Sequence, residues 1–281
     1  MKGGFFFSRH SLYLRGIINH KSIKMKKSIF LVFLVSFNIS FGQIMMLFEA
    51  DTPNKQNMSK IGQNWFSAVK SVTGDDNGIT MHHKGWASKG VYFVQWFDDM
   101  EDMVETMKNQ ETNTSKVMDY IQTRTSDPNL LNEFNSITDP KQSTVWEYMP
   151  ELSMMEEFMK LSVKERNNMA YRRFSFINTG MNSGGEFETF RKKSNELDKK
   201  RGVNYHVAVF RNIFGGKDAD YLTILIDKTR LDYMNNFIDR MEKRRNSTDW
   251  ETNRNRWDLS KFNTVKTEEV FKNMDFKISS N

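Results

Sequence analysis

The 281-residue chain contains no cysteine. That single absence excludes a disulfide framework, thiolate metal sites, a cysteine nucleophile and a lipid anchor on cysteine. The phosphate-cradling G-x-x-x-x-G-K loop is missing, and so is the G-x-S-x-G elbow of serine hydrolases; GGK at 215–217 reads as a hairpin turn. None of the five histidines stands in a His-x-x-x-His or Glu-x-x-His ligand spacing. Long apolar runs are also lacking. The strongest, 29–37, falls well short of the ~20 residues that cross a bilayer.

That short run has a meaning of its own. From Met25 the chain reads MKKSIFLVFLVSFNISFGQ: two lysines, an apolar core, then Ser40-Phe41-Gly42 before Gln43. Such an order describes a secretory signal peptide. We therefore expect translation to start at Met25, cleavage after Gly42, and a product exported to the periplasm or the exterior. Residues 1–42 carry seven Lys/Arg and no acid, which leaves 34 basic against 35 acidic residues beyond them. The basic pI of about 9.2 belongs to the leader, and a nucleic-acid surface is not expected. The 239 residues that remain suffice for one or two hydrophobic cores.

Those residues contain two similar successions of elements. The first runs from a strand IMMLFEA (44–50) through a helix 55–72, with Ile61, Trp65, Ala68, Val69 and Val72 on one face. Strands 79–86 and VYFVQWF (91–97), a helix with Met100, Met103, Val104 and Met107 inward, and a strand 144–152 follow. The second runs from YRRFSFINTG (171–180) through a helix 184–202 with Phe187, Phe190 and Leu197 inward. Strands 203–214 and YLTILI (221–226) come next, then a helix with Leu231, Met234, Phe237, Ile238 and Met241 inward, and a strand within 263–279. The chain thus divides into a leader (1–42), a first repeat (43–153), a charged, helical linker (154–168) and a second repeat (169–281). Each repeat reads as βαββαβ, the ferredoxin-like unit. VYFVQWF and YLTILI are apolar at both alternating sets, so each sheet is expected to be buried on both faces. The fold class is α+β, with the two sheets packed face to face as an intrachain α/β barrel.

This order of elements resembles the dimeric α/β-barrel superfamily with both halves in one chain. The resemblance covers most of 44–279. It implies a ligand cavity between sheet and helices. It also implies a choice among haem-dependent or cofactor-free oxygenases, isomerases and members without known activity. Fold alone does not choose between them.

The candidate residues are few. Gly78 precedes His82 by four residues as Gly202 precedes His206, so the two histidines are expected at equivalent positions of the two repeats. Imidazole is a common haem or metal ligand; inherited structure explains the pair more simply. His83 must face away from His82. Trp86, Tyr92, Trp96, Trp146, Tyr148 and Tyr205 are expected in strands, as cavity walls or as core. The methionines, 17 of 19 beyond residue 43, read as core filler. Of Arg172 and Arg173, which would meet an acidic ligand, one must point outward. The reading that results is an exported protein that binds a small apolar molecule in a barrel cavity. The sites proposed for it are His82, His206, Trp86, Tyr92, Trp96 and Tyr205, with no metal and no cofactor. The alternative is an oxygenase with haem or no cofactor.

Overall fold

In a computed structural model of the chain, the structure describes residues 44–52, 54–74, 78–85, 88–124, 139–215, 218–249, 251–252, 256 and 258–278. The leader, with its expected cleavage point, and Trp86 lie outside the described residues. Eight strands form one closed antiparallel barrel: β1 (Ile44–Asp51), β2 (Thr80–Lys84), β3 (Gly90–Phe97), β4 (Asp139–Tyr148), β5 (Tyr171–Thr179), β6 (His206–Phe214), β7 (Tyr221–Asp227) and β8 (Phe262–Lys272). Their order around the barrel is β4-β1-β3-β2 followed by β8-β5-β7-β6. The eight strands thus close into one barrel, where two separate sheets packed face to face were expected. His82 and Lys84 pair with Lys272 and Val270 at one seam, and Tyr148 pairs with Phe210 at the other.

Alternation along each strand decides which side chains fill the barrel. Met45 and Leu47 of β1, Tyr92 and Val94 of β3, Trp146 of β4, Phe174 and Phe176 of β5, Ala208 and Phe210 of β6, Leu222, Ile224 and Ile226 of β7, and Val270 of β8 form one buried cluster. On β3 and β7 the other set is buried under helices as well, whereas β8 is exposed over 263–267. Val91 and Phe93 pack against Met58 of α1 (Lys55–Thr73). This accounts for burial on both faces of β3 and β7.

Helix α1 opens on Asn54, whose side chain accepts from the Asn57 amide, and ends at Gly74 in the left-handed region (φ 79°). Its Ile61, Ala68 and Val69 meet Val117 and Ile121 of α2 (Met100–Arg124). Strand β4 ends at Tyr148, earlier than expected, because a short 3-10 turn begins at Pro150, whose ring has no N–H for a ladder. The charged linker folds into α3 (Glu156–Lys160) and α4 (Val163–Asn168), the latter opened by a Ser162/Glu165 capping box. Its acids face out, while Met155, Phe158 and Met169 join the barrel cluster and close one end.

Over the second half, Phe187 of α5 (Gly184–Lys200) packs on Val207, Val209 and Tyr221 as expected. Helix α6 (Arg230–Arg245) does not follow expectation. It buries Tyr233 and Arg240 and leaves Leu231, Met234, Phe237 and Ile238 exposed. The surface beneath it is polar: Asp227 accepts from Asn236 at 2.7 Å, Asp198 pairs with Arg244, and the Tyr205 ring lies 4.5 Å from the Arg240 guanidinium. Charged partners on the sheet side draw in the polar stripe, and the apolar stripe faces water.

Candidate functional site

The starts of β1, β2, β5 and β6 and the ends of β3, β4, β7 and β8 share one end of the barrel, the end covered by 149–169. The opposite end holds a charge ring that sequence reading missed. Lys84 pairs with Glu49 and lies 3.4 Å from Glu268, while Lys266 lies 3.2 Å from Glu49 and 3.1 Å from Glu268. Tyr92 donates its hydroxyl to Glu268 and carries the Lys84 ammonium 4.9 Å above its ring. Burial raises the Glu49 pKa, but Lys84 and Lys266 outweigh it and hold the carboxyl below its usual range. Lys266 is pushed up despite burial by the same two carboxylates. Burial and Glu268 raise the Tyr92 phenol far above its ordinary value. Gly90 is required here, since a Cβ would overlap the Lys84 stem. Every charge in this ring has an opposite neighbour.

The covered end is different. His82 is buried, its Nε2 is hydrogen-bonded to Thr80 Oγ1 (3.1 Å), and its Nδ1 has no partner among the described residues. Its Cα partners are Tyr92 and Lys272, and the Phe174 ring stands 6.3 Å away. Arg172 is 8% exposed. One of its Nη atoms donates to the carbonyls of Met169 (2.5 Å) and Tyr171 (2.9 Å). Lys272 reaches Asn167 at 3.4 Å. His206, half-buried, meets Phe158 edge-on at 5.5 Å and also has an unpartnered Nδ1. Burial, then Arg172 and Lys272, hold His82 well below its ordinary pKa. Burial lowers His206 as well, with Glu157 opposing and Arg172 assisting. Arg172 itself is pulled down to about 10 by burial. Both imidazoles are neutral at pH 7.

The barrel thus brings His82, Trp96 and His206 to one end and turns Tyr92 toward the other. Trp96 and Tyr148 stand 5.8 and 5.5 Å from Phe210 at the covered end. Tyr205 is not among them: it lies outside the barrel, its hydroxyl 3.3 Å from Asp198. His83 faces outward, its pKa lowered by burial and Lys55. The expected equivalence of His82 and His206 does not hold. His82 pairs with Tyr92 ahead of a helix beginning at Met100, and His206 with Ile226 ahead of one beginning at Arg230. Tyr92 lies eight residues ahead of its helix and Ile226 four ahead of its own, so the shared Gly-x-x-x-His spacing does not bring the two histidines to matching register positions.

A shallow surface depression of about 340 Å³ lies between the Pro150 turn and α5, with Ser153, Lys192, Asn195 and Lys199 on its walls. Its Lys199 is paired to Glu156 at 2.5 Å. No group of three His, Asp or Glu side chains among the described residues is placed to share a metal ion. No described helix is long and apolar enough to cross a membrane.

No family description and no curated protein matches the chain. Solved structures do. An anthrone oxidase-like protein is 10% identical over 82% of this chain and 91% of that chain, with a TM-score of 0.45. A mutant chlorite dismutase from Candidatus Nitrospira defluvii is 7% identical over 83% and 92%, at 0.43. A haem-binding protein from Thermus thermophilus is 8% identical over 84% and 93%, also at 0.43. Two further similar structures carry the word monooxygenase in their descriptions. The likeness is one of fold, and residue roles come from this chain's own geometry.

Proposed function

We propose that this is an exported protein that binds a small, largely apolar molecule at the covered end of its barrel. The supporting observation is the convergence there of aromatic side chains, Trp96, Tyr148, Phe158 and Phe210, with two histidine nitrogens that have no hydrogen-bond partner among the described residues. Binding sites combine such walls with few polar groups. Turnover is less well supported. The interior carboxylates Glu49 and Glu268 are tied to lysines at the far end, and among the described residues neither histidine is hydrogen-bonded to a carboxylate that would orient it as a general base. Fluorescence of Trp96 and Trp146 should change on titration with apolar molecules; a flat response across such a panel would end this reading.

The export signal supports secretion, and N-terminal mass analysis of the exported form should find Gln43 first. We also read the barrel as two ferredoxin-like βαββαβ repeats bounded at 43–153 and 169–281 with 154–168 between them. The support is that strand orders 4-1-3-2 and 8-5-7-6 are the same arrangement twice.

The second reading is an oxygenase of the kind its structural neighbours' names suggest, with or without haem. Neutral imidazoles with a free nitrogen favour it. The fit to haem is poor. His82 is buried with the Phe174 ring 6.3 Å away and Arg172 acting on it, and His206 meets the Phe158 ring edge-on. A Soret band formed on haem addition and lost in His206→Ala would favour this reading over the first.

A further inference from the structure

The two ends of the barrel differ in how they balance charge. At the opposite end two lysines and two glutamates alternate, each cation within 3.4 Å of an anion. At the covered end Arg172 and Lys272 stand with His82 and His206, and no carboxylate forms an ion pair with any of the four among the described residues. The nearest acids are committed elsewhere or act only at a distance. Asp227 accepts from Asn236 at 2.7 Å, and Glu157 pairs with Lys160 at 2.6 Å.

A guanidinium taken out of water without a counter-ion costs several kcal/mol, and two backbone carbonyls offset only part of that. They also occupy one side of the group. Both bonds leave from Nη1, so the edge formed by Nε and Nη2 meets no acceptor among the described residues. That edge is the fork that accepts a carboxylate in two parallel hydrogen bonds. Arg172 enters the barrel with Phe174 and Phe176 on the inward set of β5, while Arg173 turns outward over the Tyr233 ring at 5.4 Å. Lys272 lies across the sheet from His82, on the strand that pairs with β5.

We propose that this end of the barrel is an anion subsite: Arg172, assisted by Lys272, receives the acidic head of a small molecule whose apolar body lies against Trp96, Tyr148 and Phe158. The inference rests on the ligand-binding reading and gives the ligand a chemical class, an amphipathic organic acid. His82 and His206, neutral, add donors or acceptors without charge.

The test compares octanoate, octanol and octylamine by tryptophan fluorescence, on the intact exported protein at constant ionic strength. Octanoate should bind at least ten-fold more tightly than octanol, and octylamine least. Arg172→Met should abolish the preference for octanoate. Should that variant fail to fold, Lys272→Met, at a half-buried position, should weaken octanoate several-fold while leaving octanol unchanged, and Lys266→Met at the opposite end should leave both unchanged. Equal binding of octanoate and octanol, insensitive to Arg172 and Lys272, would overturn the anion subsite and leave the ligand-binding reading standing. Failure of all three probes to bind would overturn both.

Discussion

His82 shows how burial writes a pH dependence into one side chain. Its folded pKa lies well below the ordinary value because burial, Arg172 and Lys272 all oppose its charge. The unfolded chain takes a proton near pH ~6.5, and the folded chain refuses it. Stability must therefore fall as pH drops below that value. Urea unfolding at pH 7.5 and 5.5 should show a loss in the wild type that is smaller in His82→Asn; an equal loss would mean the ring is protonated in place. Lys84 acts in the opposite sense, as a buried cation with too many partners to lose. Lys84→Met leaves Glu49 and Glu268 with only Lys266, which is 43% exposed, and should cost on the order of 3 kcal/mol. Lys193→Met, which breaks only an exposed i,i+3 pair, should stay within ~0.5 kcal/mol. Of these residues His82 and Tyr92 were legible as strand positions, but not which way they face. Lys84, Glu49, Lys266 and Glu268 were not, because they come from three strands far apart in sequence. For Arg172 and Arg173 the alternation required one inward and one outward, and only the phase of β5 in the closed barrel says which.

Helix α6 carries an apolar stripe read from the sequence, Leu231, Met234, Phe237, Ile238 and Met241, and a second stripe of Tyr233, Asn236, Arg240 and Arg244. Periodicity finds stripes but does not assign the buried one. The choice follows from what lies beneath the helix: Asp227 and the Tyr171 ring of the sheet, the latter 5.2 Å from Tyr233, with Asp198 of α5 and Tyr205 just before β6. The consequence is measurable. Leu231→Ser and Ile238→Ser, at 69% and 52% exposure, should each change stability by less than ~0.5 kcal/mol. Tyr233→Ala, at 6% exposure, should cost about 3 kcal/mol. The reverse ranking would mean that the helix packs by its apolar face after all. Helices α1 and α5 behave conventionally because Phe93 and Tyr221, Val207 and Val209 present them with apolar surface.

Closure dominates the whole molecule. Neither four-strand run has a free edge, since β2 is hydrogen-bonded to β8 and β4 to β6, and one cluster of inward side chains draws on seven of the eight strands and on the 154–169 segment. Unfolding either half would strip the other of its partner edges and half of its core. We therefore expect a single cooperative transition, with near-UV and far-UV circular dichroism superimposing through thermal unfolding. Two resolved transitions would show that the halves are independent domains. Trp146, 1% exposed and bonded through Nε1 to Thr144 at 2.6 Å, sits in that shared core. Its replacement by alanine should cost about 3–5 kcal/mol by the usual scale for large aromatic deletions.

Local information in the sequence determined the elements, their order and the strands buried on both faces, because alternation, capping and turn residues act over a few neighbours. It also determined that chemistry by thiols or by a local metal motif is absent, since those need residue types or spacings the chain lacks. Tertiary structure alone decided which residues meet. The ring of Glu49, Lys84, Lys266 and Glu268, the phase that buries Arg172, the mismatch of His82 with His206 and the inverted face of α6 all depend on strand register around a closed barrel. Register is set by pairing between segments more than a hundred residues apart, such as β2 with β8, and shifting it by one residue exchanges inside for outside.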